Sequence, residues 1–363
     1  MNINKKTLLS HFKNAADKDW QDWRWQFKNR ITSIAQLEQI IGKVLIRDAG
    51  DAASIYPQAI TPYYLSLVKF DAENDPISTQ CVPDRRELSS SQGTLADPLE
   101  EDEHTPVAKL VHRYPDRCLA IVTETCATYC RHCNRKRFWS TSPQISLKTR
   151  LANMLRYISA SPQIREVIIS GGDPLTFDDT TLEALLSSFK AIPHVEVLRI
   201  GSRIPVVMPM RVTRDLCRIL KRYRPLWLNT QFNHQNEITP ESARACEMLL
   251  AAGIPVSNQS VLLKGVNDKK DVMRNLLYGL QQISVRPYYL FHCDPVKGCE
   301  HFRTQIAPGM KMMDEIRQQC SGLSLPQYVL DVPGNTAKIP LNVISGAIKD
   351  DLKKHQHFFD KIE

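Results

Sequence analysis

No run in this 363-residue chain is long and apolar enough to span a bilayer, and the stretch from Met1 to Trp20 holds no apolar signal-peptide core. The ten cysteines lack the spacing of a small disulfide-stapled domain. Their thiols are therefore expected to stay reduced, as in a cytoplasm, and available to metal. The net charge of +8 is not gathered into one block. Part of it sits in Lys349, Lys353, Lys354 and Lys361, which read as a solvated helix end or tail. With no appended basic or aromatic module in view, neither a nucleic acid nor a membrane is expected as partner. At 42% apolar and 24% charged residues, the composition is that of a globular protein with a large core.

A further absence gives meaning to what is present. Cys126-Ala-Thr-Tyr-Cys130-Arg-His-Cys133 is a C-x3-C-x2-C triplet, and no fourth cysteine follows at ferredoxin spacing, the next being Cys217. Three thiolates this close can wrap one 4Fe–4S cube, yet they leave one iron without a protein ligand. An open iron suits chelation by the amino and carboxylate groups of S-adenosylmethionine (SAM), an arrangement that generates radicals. Read without context, three cysteines would simply be small buried hydrophobes.

Around the triplet the chain falls into distinct zones. Residues 13–48 read as helical, with Trp20, Trp23, Trp25 and Phe27 as packing anchors. Residues 71–105 are rich in Pro, Ser, Asp and Glu without periodicity, which predicts an irregular segment wrapping the core. Strand-like runs then begin near Cys118, Glu166, Val195, Leu226, Pro255 and Pro287. Helical patterns fall between them, as at 181–192, 213–223, 239–253 and 269–283, with Pro240 at a first helical position. Six strand–helix units in a row predict an α/β fold with a parallel sheet covered by helices. Six do not close an eight-stranded barrel, so a partial, open β/α barrel is expected, with an N-terminal helical extension. The expected division is an N-terminal region at 1–107, a barrel at 108–300 and a C-terminal segment at 301–363. In such barrels polar residues gather at the carboxyl ends of the strands. The motif residues Gly171-Gly172-Asp173, Ser202-Arg203, Asn233-His234, Gln259 and Asp294 all fall there by this reading.

Several stretches together carry a resemblance. They are His112 to Trp139, S-G-G-D-P-L at Ser170–Leu175, R-I-G-S-R-I-P-V at Arg199–Val206 and N-Q-S-V-L-L-K-G-V-N-D at Asn258–Asp268. To these are added P-Y-Y-L-F-H-C-D at Pro287–Asp294 and V-L-D-V-P-G at Val329–Gly334, followed by Lys338. From about Trp20 to residue 345 the chain resembles the lysine 2,3-aminomutase family of radical SAM enzymes.

The resemblance implies an isomerase that interconverts L-lysine and L-β-lysine through a 5′-deoxyadenosyl radical and a pyridoxal phosphate (PLP) aldimine. Cys126, Cys130 and Cys133 would bind the cluster, while Gly171, Gly172, Asp173, Ser202 and Gln259 would contact SAM. Paired glycines also let a ligand lie against their backbone. Lys338 would be the Schiff-base lysine, with Arg117 and Arg113 as phosphate partners. Arg135 would grip the substrate carboxylate, and Asp294 and Asp331 would receive the distal ammonium of lysine. A small amino acid and a one-electron reductant of flavodoxin or ferredoxin type are the implied partners. The related alternatives are the β-lysine-forming enzyme of elongation factor P modification and a member acting on arginine or ornithine. From another class, a radical SAM enzyme modifying RNA is the alternative. The chain departs from the family pattern at three places. Asn335-Thr336-Ala337 replaces a glycine run, Phe291 stands where tyrosine is frequent, and Lys269 occupies a zinc-cysteine position. No cysteine follows Cys320 either, so zinc is not expected, and a homo-oligomer stays open.

Overall fold

Strands form here where apolar residues alternate, and the alternation decides what each face touches. The computed structural model describes residues 4–13, 15–42, 49–70, 74–89, 93–139, 145–333 and 337–341. The lysine run beyond residue 341 and the pair Asn335-Thr336 lie outside them. Nine strands make one sheet in sequential order: β1 (Leu110–Tyr114), β2 (Arg117–Thr123), β3 (Glu166–Gly171), β4 (Val197–Gly201), β5 (Leu226–Thr230), β6 (Val256–Leu262), β7 (Arg286–His292), β8 (Gln327–Leu330) and β9 (Ile339–Pro340). Neighbours from β2 to β8 are parallel, and β1 and β9 pair antiparallel at the two edges. The edges do not pair with each other, so the sheet curves into an open barrel.

Each of β2 to β7 is followed by a helix, at Leu147–Ser159, Asp179–Lys190, Arg214–Arg222, Pro240–Ala251, Lys270–Gln282 and Ile306–Arg317. These are the six anticipated units. Asp178, Thr213 and Thr239 cap three of the helices by accepting from backbone N–H groups three residues on. In β3, Val167 and Ile169 belong to the same buried apolar core as Leu182, Leu186 and Phe189 of the helix that follows. The alternate residues Glu166, Ile168 and Ser170 line the interior. Burying such an aliphatic side chain contributes about 1.5–3 kcal/mol each.

The N-terminal region is helical in short pieces rather than continuously, with helices at Lys5–His11, Asp17–Trp20, Trp23–Lys28 and Ile34–Ile41. Local capping explains the breaks. Asp22 and Ser33 start two of the helices, and Gly42 at φ +67° ends the last. The segment expected to be irregular holds one helix, Pro76–Cys81, and a 3-10 turn at Arg85–Leu88. The turn sets Glu87 between Arg131 and Lys136, both at 2.7 Å, with all three side chains buried. The wrapping segment is thereby tied to the cysteine loop. No helix of the described residues is long and apolar enough to cross a membrane.

Candidate active site

Every residue that the resemblance assigns to a cofactor or the substrate lines one cavity of about 670 Å³ inside the barrel, whereas Asn233 and His234 do not line it. Cys126, Cys130 and Cys133 lie on the loop leaving β2, and Asp173 and Ser202 follow the ends of β3 and β4. Asp294 follows β7 and Asp331 follows β8, a short parallel strand that the sequence pattern did not announce.

The cysteine loop is held from three sides. Arg30 Nη1 donates to the Cys126 carbonyl at 2.5 Å, the Arg135 N–H donates to Cys133 Sγ at 3.3 Å, and Arg203 Nη1 donates to Cys130 Sγ at 2.8 Å. Burial, and then the charge of neighbouring groups, pushes the Cys126 thiol up, and burial with the adjacent Cys130 pushes Cys133 up to about 11. Metal charge is what would ionise such thiols. Among the described residues no three His, Cys, Asp or Glu side chains are gathered around one ion. A cube takes its cysteines on separate irons, and the C-x3-C-x2-C spacing on one loop suits three of its four corners.

Gly171 and Gly172 line the cavity, and they also let the backbone of β2 and the cysteine loop approach closely. Gly171 has φ +124°, and a Cβ there would sit 2.3 Å from the Thr123 carbonyl oxygen. At Gly172 a Cβ would sit 2.3 Å from the carbonyl oxygen of Thr125. Backbone at the end of β2 faces the first position and backbone of the cysteine loop the second. Gly172 N–H donates to the Thr123 carbonyl at 2.6 Å and Asp173 N–H to that of Thr125 at 2.8 Å, so the glycines seat the loop on the end of β3. Asp173 is committed internally as well. Its carboxylate accepts from Ser202 Oγ at 2.7 Å and from the Arg203 N–H at 2.8 Å. Burial nevertheless pushes its carboxyl up to about 6. Gln259, in β6, lines the same cavity.

At the other end, Lys338 Nζ lies 2.9 Å from Asp331 Oδ2 and donates to Tyr114 Oη at 3.2 Å. Burial would lower its pKa, but Asp331 and Tyr114 outweigh that and keep the ammonium protonated. Arg113 lies within β1 rather than ahead of the first strand, and its Nη1 pairs with Asp331 Oδ1 at 2.8 Å. Arg117 stacks over the Tyr114 ring at 4.0 Å and pairs with Asp116. Lys338 and Arg117 therefore both adjoin one tyrosine in the cavity lining, an amine and a guanidinium of the kinds that an aldehyde and a phosphate would need.

Asp294 Oδ2 accepts from Asn134 Nδ2 at 3.1 Å, whereas Oδ1 is buried without a partner among the described residues. Burial first, and then the charge of Asp331, pushes the Asp294 carboxyl up to about 7. An orphaned carboxylate oxygen beside a second acid is a receptor for a cation. Arg135 presents its Nε and Nη2 to Glu101, with Nη2 at 2.5 Å from Oε1. Sequence reasoning missed Glu101, as it missed Glu87, Tyr64 and Glu237, because their partners lie far away along the chain.

Residues 120–277 match the radical SAM superfamily. The chain is 47% identical over 341 residues to the L-lysine 2,3-aminomutase of Clostridium subterminale, covering 93% of this chain and 82% of that one. It is 45% identical over 337 residues to the L-lysine 2,3-aminomutase of Fusobacterium nucleatum, covering 92% and 79%. It is also 41% identical over 346 residues to the glutamate 2,3-aminomutase of Clostridioides difficile, covering 94% and 81%. A 4Fe–4S cluster and SAM come with this superfamily, and so does the need for a one-electron reductant. The chain belongs to the lysine 2,3-aminomutase family of radical SAM enzymes.

Proposed function

We propose that this protein is an L-lysine 2,3-aminomutase that interconverts L-lysine and L-β-lysine and uses PLP besides the cluster and SAM. The observation that carries the substrate is the acid pair Asp294 and Asp331 in the cavity lining, with Asp294 Oδ1 buried and unpartnered among the described residues. Two carboxylates there attract a side-chain ammonium and repel a side-chain carboxylate. Glutamate, the substrate named for the Clostridioides difficile relative, would bring a carboxylate rather than a cation to the unpartnered Asp294 oxygen.

When bound, the cluster supplies one electron to split SAM, and PLP supplies an aldehyde to carry the amino nitrogen between C2 and C3. The chain's own residues do the placing. Arg135 offers the cavity a guanidinium suited to a carboxylate, and Glu101 fixes its orientation by the Nε edge. Lys338 is the amine for the aldehyde, and Arg117 the cation for its phosphate. Arg113 holds Asp331 by Oδ1, which leaves Oδ2 as the oxygen able to exchange one ammonium for another. It stands with Asp294 Oδ1 as acceptor for the substrate's distal ammonium. Tyr289 and Phe291, with ring centroids 5.3 Å apart, form an apolar wall that keeps water from the reacting carbons.

The test is anaerobic incubation with reductant, SAM, PLP and, separately, lysine, arginine, ornithine or glutamate, followed by product chromatography. Lysine should yield β-lysine fastest. Faster rearrangement of glutamate would overturn the substrate. Borohydride reduction of the PLP-loaded protein should fix the pyridoxyl group on Lys338, and Lys338→Ala should lose both label and turnover. A label on another lysine would overturn that assignment.

A further inference from the structure

Arg203 sits on the short connection after β4, buried with its carbon stem, and the partners of its donors are all internal. Nη1 donates to Cys130 Sγ at 2.8 Å and Nε to the Gln231 carbonyl at 3.1 Å. Nη2 is shared among Glu237 Oε1 at 2.6 Å, Gln80 Oε1 at 2.6 Å and Tyr64 Oη at 3.1 Å. Its own N–H donates to Asp173 Oδ2 at 2.8 Å. One residue thus holds the carboxylate beside Ser202 with its backbone and a cluster cysteine with its side chain.

A guanidinium is permanently charged, and a charged donor on a ligand sulfur withdraws electron density from it. A cluster gains negative charge when it is reduced, so this donor favours the reduced form. Glu237 opposes that effect. Its side chain is fully buried, it pairs with Arg203, and it takes the Tyr64 hydroxyl at 2.6 Å. Its other oxygen is fixed by the backbone N–H groups of Asn233 and His234 at 2.5 and 2.9 Å. The carboxylate is therefore held in place while it offsets the arginine's charge.

We infer that Arg203 is a positioning residue that raises the reduction potential of the cluster on Cys126, Cys130 and Cys133, with Glu237 as its counterweight. The inference rests on the radical SAM reading of the site. It assigns opposite signs to two neighbouring residues, which damage to the fold would not do.

The test uses the full chain, anaerobically reconstituted with iron and sulfide and poised at a series of potentials. The reduced cluster is read by electron paramagnetic resonance, without SAM or substrate. In Arg203→Gln the ratio of reduced to oxidised cluster at the parent's midpoint should fall at least tenfold, about 59 mV for one electron. Arg203→Lys, which keeps a charge but loses the fork, should fall less. Glu237→Gln should raise the ratio. An Arg203→Gln protein that carries a full cluster at the parent's midpoint would overturn the inference. If Arg203→Gln takes up no iron, Glu237→Gln decides alone: a higher midpoint supports the inference and an unchanged one overturns it. A parent that bound no cluster would instead break the radical SAM reading itself.

Discussion

With the substrate ammonium on Asp294, as proposed, a carboxyl pushed up to about 7 makes substrate binding depend on pH. In the empty cavity burial and the Asp331 charge favour its neutral form, while a bound ammonium favours the ionised one. Lysine's side chain stays protonated to about pH 10, so the titrating partner near neutrality is Asp294. Below about 7 each binding event must first expel a proton, at a cost of up to about tenfold in affinity per pH unit. KM for lysine should therefore fall as pH rises to about 7 and level off above it. Asp294→Asn should bind lysine weakly and show no such bend. The same linkage acts on stability. A raised acid favours the empty fold at low pH, and that contribution is lost as pH rises from the usual 3.8 through about 7. Added lysine should consequently raise Tm more at pH 8 than at pH 6. A KM that stays flat across this range in the parent would mean that the ammonium does not sit on Asp294.

At the scale of elements, the contact between the end of β3 and the cysteine loop decides how the glycine motif is read. An alanine Cβ at position 172 would meet the Thr125 carbonyl oxygen at 2.3 Å and the carbonyl carbons of Glu124 and Thr125 at 2.7 Å. These are backbone atoms one and two residues from Cys126, so relief requires moving the loop that carries the cysteines. Overpacking of this kind costs about 1–3 kcal/mol and has no flexible side chain to absorb it. Gly172→Ala should lower Tm and take up much less iron on anaerobic reconstitution than the parent. Full iron content with only SAM binding lost would show that the glycines serve the ligand instead. Strands β2 to β7 were legible because each is an apolar strand-like run followed by a helical period. The edges were not: β8 has four residues, β9 two, and β1 carries His112 and Arg113 within five. Such strands are defined by the neighbour they pair with, which no local pattern reports. The site shows the same division. Its reacting residues stand in recognisable motifs at strand ends. Their partners, such as Glu101 for Arg135 at 34 residues' separation or Tyr64 for Glu237 at 173, leave no local trace.

Across the whole molecule, the N-terminal layer is joined to the barrel by both apolar and polar contacts. One hydrophobic core runs from Leu8, Trp20 and Trp23 through Tyr63 and Tyr64 to the barrel's Val207, Leu249 and Leu341. Arg211 stacks over Trp23 at 4.5 Å, Thr61 Oγ1 donates to the Val207 carbonyl at 2.5 Å, and the Tyr63 and Thr239 hydroxyls meet at 2.6 Å. Arg30 reaches from this layer to the Cys126 carbonyl. Layers that share a core and bury each other's polar partners lose both when they separate, so neither has a low-energy way to unfold alone. We predict that the cofactor-free chain unfolds in one transition, with calorimetric and van 't Hoff enthalpies equal. Amide exchange should release Trp23–Lys28 together with β2 and β3 as denaturant is raised. Arg30→Ala should reduce iron uptake while leaving that single transition intact, because it removes one hold on the cysteine loop and little apolar area. Two separated transitions, with the segment before residue 70 exchanging first, would show that the N-terminal layer is an independent unit laid over a barrel able to hold its own site.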